Sequence, residues 1–367
     1  MSKLRISLIA ALLASMLLVG CATEDELQQD TGDLLDNPLS VVVFGRYALV
    51  VSANFDQSHA GEGTIMSIDL ERLEQGKGAI LDRIAGPAYM GRAVVDSAGE
   101  IAYVADRAGD QILLLDVSNP SDLRWIDLDT SDDNPSGIAA GREPFDLVLG
   151  PDEVYLYATN VSSGDLSIID LGRRELARNM LLASGVVNLG IQPGSDYLYV
   201  TNKGLSAIVI FDVARNEFVT SFTISSGERT IGYDTRGIAF SPDGRWAYIC
   251  SRVPDALLVI DTEKIPNQPD EAIWRIIPMW DSPSGVAVSA DGSEIWVTNF
   301  DSECLIVVDA QTLDVIARID VGRGPYDVAL TAPDAEDGRF YALVPNFYAH
   351  SLSIVDSVAR KQVGRIR

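Results

Sequence analysis

Histidine is nearly missing from this sequence, with only His59 and His350 in 367 residues. Cysteine is almost as scarce, at Cys21, Cys250 and Cys304. These shortages exclude a Cys/His zinc cluster, a CxxCH haem attachment and an HExxH metalloprotease helix. No Gly-x-Ser-x-Gly nucleophile turn and no Walker loop occurs. Positive charge is also short: 28 Lys and Arg stand against 53 Asp and Glu, a formal net charge of −25. Such an acidic excess argues against nucleic acid as a partner and against an electrostatic grip on anionic lipid. After residue 20 no apolar run is long enough to span a bilayer as a helix.

The one strongly apolar run is at the start. Lys3 and Arg5 precede ISLIAALLASMLLVG, which has the layout of a signal peptide. The run ends Leu18-Val19-Gly20-Cys21, which resembles the bacterial lipoprotein signal. The resemblance implies cleavage of residues 1–20 and lipid attachment (palmitate) at Cys21. With Ala22 rather than Asp next, it further implies an outer-membrane location, facing the periplasm or the cell surface. Loss of Lys3 and Arg5 would take the formal charge from −25 to −27, so attachment would rest on the lipid. Residues 21–37 are acidic and poor in bulky apolar groups, and read as a tether.

What the chain has in quantity is a repeat. Seven apolar runs end in a polar residue: Asn54, Asp106, Asn160, Asn202, Ser251, Asn299 and Asn346. Each is followed, at the end of a second apolar run, by Asp69, Asp116, Asp170, Asp212, Asp261, Asp309 and Asp356 respectively. Six gaps are ten residues and the first is fifteen, within a period of 42–54. Residues 282–322 show one unit clearly. SGVAVS, EIWVTN, CLIVVD and VIARIDV are short β-branched runs separated by ADGS, FDSE and AQTL turns. Four short strands cannot bury two apolar faces alone, but seven such sheets stacked radially can. The fold expected is all-β, a seven-bladed β-propeller of four-stranded antiparallel blades over 38–367. A final strand near Gln362–Ile366 completes blade seven, and nothing upstream of Pro38 reads as a strand, so no strand-swapped closure is expected. The repeated Asn and Asp read as turn residues, which tolerate unusual dihedrals and bond nearby backbone.

Tyr199-Val200-Thr201-Asn202, with Trp296–Asn299 and Tyr157–Asn160 as near-copies, resembles the YVTN family of β-propeller repeats. So do the Ser241-Pro242-Asp243-Gly244 turn and the Gly141–Pro144 and Gly322–Pro325 lead-ins. The resemblance implies the fold, and it implies a ligand site on the face that rims the central channel. It does not imply an activity.

On that face the residues following the repeated polar position are Phe55, Arg107, Val161, Lys203, Arg252, Phe300 and Phe347. Aromatics fall on neighbouring blades six, seven and one, and cations on two, four and five. Arg92, Arg142, Arg229, Arg236 and Arg323 lie in lead-ins on the same face. Arginine forks suit carboxylate or phosphate, and aromatics suit sugar rings or peptide side chains. The candidate binding set is therefore Arg107, Lys203, Arg252, Arg142, Arg236, Arg323, Phe55, Phe300 and Phe347. The expected partner is a protein, peptide or glycan, read as an anionic ligand with an apolar part such as a peptide terminus or an acidic glycan; the alternative is that these cations pair with acidic loops. The long loops NFDQSHAGEG, DTSDDNPSGIAAGREP and ISSGERTIGYD are further candidates. No catalytic residue, metal or cofactor is expected. His59 with His350, near Asp56 or Glu62, and the run Asp127, Asp129, Asp132, Asp133 are the nearest approaches to a metal site, and both lack a ligand spacing. Cys250 and Cys304 are either bridged or two buried thiols. The function expected is a binding or scaffolding lipoprotein. The alternatives are a propeller lactonase or isomerase, or an accessory subunit of a periplasmic redox enzyme.

Overall fold

Strand alternation sends successive side chains to opposite faces of a sheet, and the chain uses both faces. In Tyr47–Ser52, Ala48 and Val50 pack toward one neighbouring sheet and Leu49 and Val51 toward the other. A computed structural model describes residues 28–29, 35–55, 62–75, 77–131, 135–223, 225–226, 229–230 and 233–367. In it seven antiparallel sheets follow one another along the chain. Their first, innermost strands are Pro38–Phe44, Met90–Val95, Pro144–Leu149, Val186–Ile191, Tyr233–Phe240, Pro283–Val288 and the short Ala329–Leu330. Their second strands end at Ser52, Asp106, Asn160, Asn202, Val253, Asn299 and Asn346.

Seven apolar clusters fill the seven spaces between adjacent blades. One spans blades six and seven through Trp296, Leu305, Val344 and Val355. Another spans blades seven and one through Leu343, Ile354, Val50 and Met66, and closes the ring. Fully burying a Leu, Ile or Val is worth about 1.5–3 kcal/mol, so this repeated layer supplies the main stabilisation. Cys250 and Cys304 are unbridged, buried thiols in the layer between blades five and six. Burial pushes Cys250 up to about 12.

Closure needs no swapped strand, because Lys361–Ile366 supplies the fourth strand of blade seven. The expectation that nothing upstream of Pro38 would pair there is corrected. Gln28–Gln29 runs parallel to the last strand as a fifth, with Gln28 opposite Arg365 and Gln29 opposite Ile366. A two-residue strand carries no periodicity of its own and is defined by its partner's open edge. Leu35 is 1 % exposed, inside the cluster between blades seven and one.

The lead-in to blade three also behaves differently from a rim loop. Its Ile138–Ala139 pairs with the upper part of Gln111–Asp116, while Arg124–Ile126 pairs with the lower part. The insertion therefore interrupts the fourth strand of blade two. The lead-in to blade five contains a small hairpin, Ser225–Ser226 with Arg229–Thr230. The SPDG turn needs its glycine. Gly244 has φ +69, and a Cβ there would lie 2.2 Å from the Pro193 carbonyl oxygen of the neighbouring blade.

Candidate functional site

The seven repeated polar residues are buried, from 0 to 2 % exposed, and several of them hold the turns. Asn202 Oδ1 accepts from the Gly204 and Leu205 N–H groups at 2.7 and 2.8 Å. Asp106 accepts from Gly109 N–H at 3.0 Å. Asn160 and Asn346 reach the facing strand instead, donating at 2.8 Å to Ser167 and Ser353 Oγ. Of the seven only Asn54 adopts a positive φ, 40°. Side-chain bonding, rather than dihedral tolerance, explains Asp106, Asn160, Asn202 and Asn346, whereas Asn299 donates to the Val297 carbonyl of its own strand at 3.2 Å and the buried Ser251 hydroxyl has no partner among the described residues.

Around the mouth the second residues of the inner strands include Leu39, Phe145 and Val187, which form an apolar cluster with Ala53. Phe55, Val161, Tyr326 and Phe347 pack against it. The predicted aromatic arc exists. Phe347 lies 5.4 Å from Phe55 and 6.4 Å from Phe300, centroid to centroid. It is denser than expected, because Tyr89, Tyr326 and Tyr348 join it at 5.0–6.2 Å. Most of these rings are half-buried, so the arc is a plug with Tyr348, 53 % exposed, at its outer side.

The basic arc comes together in part. Arg107 lies 5.4 Å over both Phe55 and Phe145 and is 3.5 Å from Glu143. Arg252 donates to Ser284 Oγ and lies 5.4 Å over Phe300. Arg236 pairs with Asp234 at 2.6 Å. Burial, then the nearby Arg236 and Arg107, lowers the Lys203 pKa. Burial, then Arg236, lowers that of Arg252. Four cations therefore share one field. Glu143 and Asp234 act on Lys203 from beyond ion-pair distance, and each is engaged by an arginine.

The remaining predicted cations make separate contacts or lie outside the described residues. Arg142 is exposed, and its backbone N–H donates to Ser163 Oγ at 3.0 Å. Arg323 is exposed and donates to the Tyr348 carbonyl at 3.3 Å. The Arg229 side chain, His59, Asp56, Asp132, Asp133 and Cys21 lie outside what the structure describes. Arg92 is turned inward, where it bonds Asp327 at 2.5 Å and lies 3.9 Å from Asp146. A register shift between Met90 and Ala93 re-aims it. Ser40, Asp146, Asn188 and Asp327 occupy the matching positions on other blades. This inner polar ring is visible when the repeats are aligned on their lead-ins, and the sequence reading missed it.

The metal candidates are otherwise occupied. His350 Nδ1 accepts from Asn37 N–H at 3.3 Å and lies 3.6 Å from Asp36. Asp127 accepts from Asp129 and Ser136 N–H, each at 3.0 Å. Among the described residues no group of three or more His, Cys, Asp or Glu is arranged to hold a metal ion. A cleft of about 460 Å³ lies on the opposite face between blades one and two, lined by Phe44, Arg46, Tyr47, Asp96 and Pro120 among others.

Three solved structures share the architecture. Hydrazine synthase from Kuenenia stuttgartiensis superposes with a TM-score of 0.69 over 90 % of this chain and 97 % of that one, at 16 % identity. A protein of unknown function from Desulfotomaculum acetoxidans gives 0.67 over 88 % and 95 %, at 13 % identity. A protein from Bacteroides fragilis, provisionally assigned as a 6-phosphogluconolactonase, gives 0.61 over 80 % and 86 %, also at 13 % identity. At these identities the likeness is one of fold. No curated protein sequence matches the chain. The profile of the YNCE-like beta-propeller family matches residues 138–335, more than half of the sequence, and the chain belongs to that family.

Proposed function

We propose that the protein is a non-enzymatic binding module whose propeller mouth captures an anionic ligand with an apolar part, such as a peptide terminus or an acidic glycan. It is held outside the cytoplasm at the outer membrane by lipid on Cys21. The observation that carries this reading is the cation surplus at the mouth. Arg107, Lys203, Arg236 and Arg252 face two ion-pairing carboxylates, Glu143 and Asp234, with Asp301 acting on Arg252 from farther off. A desolvated lysine between arginines is relieved by an incoming anion, and the adjacent Phe300 and Tyr348 rings accept an apolar group. Both carboxylates are tied to arginines, a poor arrangement for a general base.

The test is ligand capture from an anionic peptide and acidic oligosaccharide library by wild type and by the Arg107→Glu, Lys203→Glu, Arg252→Glu triple variant. Capture by the wild type alone is expected, and equal capture by both would refute the reading. Affinity is also expected to fall as pH rises through the lowered Lys203 pKa, below 10.5, because the ammonium is then lost. Two further readings travel with the fold through its structural neighbours: a lactone hydrolase and a redox-enzyme accessory subunit. Turnover of a lactone panel would favour the first. Co-purification of an oxidoreductase from detergent-solubilised membranes would favour the second.

A further inference from the structure

The fourth strands form the outer rim, and charge is shared unevenly along it. On blades one to four they carry Arg83, Arg124 and Arg178 against Asp82, Glu175 and Glu217, a net of zero. On blades five to seven they carry Arg275, Arg318, Lys361 and Arg365 against Asp320 alone, a net of +3. In a chain of formal charge −25 this is a local cation surplus within the strands themselves, with exposed Glu271, Asp281 and Asp314 flanking them. Arg275, Arg318 and Lys361 are exposed. The same arc exposes Trp274 (63 %), Trp280 (38 %) and Ile316 (48 %), and the Arg318 guanidinium lies 6.0 Å over the Trp280 ring. Leu181 and Phe218 are exposed on blades three and four, but no cation surplus accompanies them.

The chain's own path points to what meets this arc. Gln28–Gln29 is fixed along the last strand of blade seven. Cys21 stands seven residues earlier, at most about 25 Å of extended chain. Lipid on Cys21 therefore keeps the rim of blade seven next to the bilayer. We infer that the outer rim of blades five to seven docks on an anionic phospholipid surface, so that the propeller sits edge-on with its mouth opening sideways. This rests on the lipid-anchor reading above. Tryptophan favours the headgroup region, and each Lys or Arg near an anionic surface is attracted to it. The acidic remainder of the molecule is repelled by the same surface, so the asymmetry sets orientation as well as contact.

The acylated mature protein, beginning at Cys21 and reconstituted in phosphatidylethanolamine/phosphatidylglycerol vesicles with brominated acyl chains, tests this by tryptophan quenching. Wild type is expected to be quenched, and Trp274→Phe with Trp280→Phe is expected to remove most of the effect. The Arg275→Glu, Arg318→Glu, Lys361→Glu variant is expected to float with the vesicles yet lose quenching, with the docked orientation weakened about five-fold per charge. Zwitterionic vesicles and high salt should act on wild type in the same direction, which needs no variant. Flotation without quenching, or quenching indifferent to charge and salt, overturns the docking face and leaves the anchor standing. Failure to float overturns the anchor reading and the docking face with it.

Discussion

The aspartate that closes each third strand stops it by accepting the next backbone N–H groups. Asp69 takes those of Glu71 and Arg72, Asp309 those of Gln311 and Thr312, and Asp356 those of Val358 and Ala359, at 2.7–3.2 Å. Asp116, Asp170, Asp212 and Asp261 do the same two or three residues on. Asp69 is also the N-cap of the short helix Leu70–Glu74 and binds Arg46 at 2.8 Å. Asp69→Ala should cost about 2 kcal/mol in urea unfolding. Hydrogen bonds hold several turn carboxylates below their ordinary 3.8: the Ser118 hydroxyl at Asp116, the Ser241 hydroxyl at Asp243, the Ser289 hydroxyl at Asp291 and the Thr312 N–H at Asp309. A depressed folded pKa gives stability that is complete above the unfolded value and lost as pH falls through the folded one. Asp212 is lowered as well; burial pushes Asp327 the other way, one carboxylate against five. The urea midpoint should therefore hold steady down to about pH 4 and fall below it. A midpoint that rises on acidification would contradict this assignment.

At the scale of elements, the segment before Pro38 carries more than a tether requires. Asn37 donates from its side chain to the Phe347 carbonyl at 3.3 Å and accepts from Phe55 N–H at 3.0 Å, while its own N–H meets His350. Leu35 fills the layer between blades seven and one. Leu35→Ala should cost about 3 kcal/mol, read as a lower urea midpoint, whereas a residue in a free tether would cost nothing. The sequence shows Leu34-Leu35 as a lone apolar pair in an acidic stretch, with no period to place it. By contrast, the second and third strands of every blade were legible, because Tyr197–Asn202 or Glu294–Asn299 alternates and ends in a residue that must turn. The mouth was legible to the same extent. Phe55, Arg107, Lys203, Arg252, Phe300 and Phe347 follow those turns and share a face by symmetry. Arg92 was not, since a bulge breaks the alternation that predicts where a side chain points. The Tyr326 and Tyr348 contacts depend on packing between blades, which no single repeat encodes.

At the scale of the whole molecule, a ring of seven similar interfaces has one seam where the last blade in sequence meets the first, between blades seven and one. Apolar layers alone are interchangeable from blade to blade, so a feature unique to the seam region helps fix the order. Arg92 of blade two bonds Asp327 of blade seven and approaches Asp146 of blade three. Asp327 also accepts from Val41 N–H of blade one at 3.4 Å, and Asp146 accepts from Asn188 Nδ2 of blade four at 2.8 Å. A single guanidinium thus links five blades across the seam, directly or through one carboxylate. Desolvation opposes its charge, yet Asp327 and Asp146 hold the Arg92 pKa above its ordinary value. Removing one partner of a buried ion pair leaves the others uncompensated, typically at 3–5 kcal/mol. Arg92→Ala should therefore lower stability by about 4 kcal/mol, more than an alanine at exposed Arg142. Adding Asp327→Asn should recover part of the loss, because it removes the orphaned charge. If the double variant is no more stable than Arg92→Ala alone, the seam is held by its apolar layer and the network is incidental.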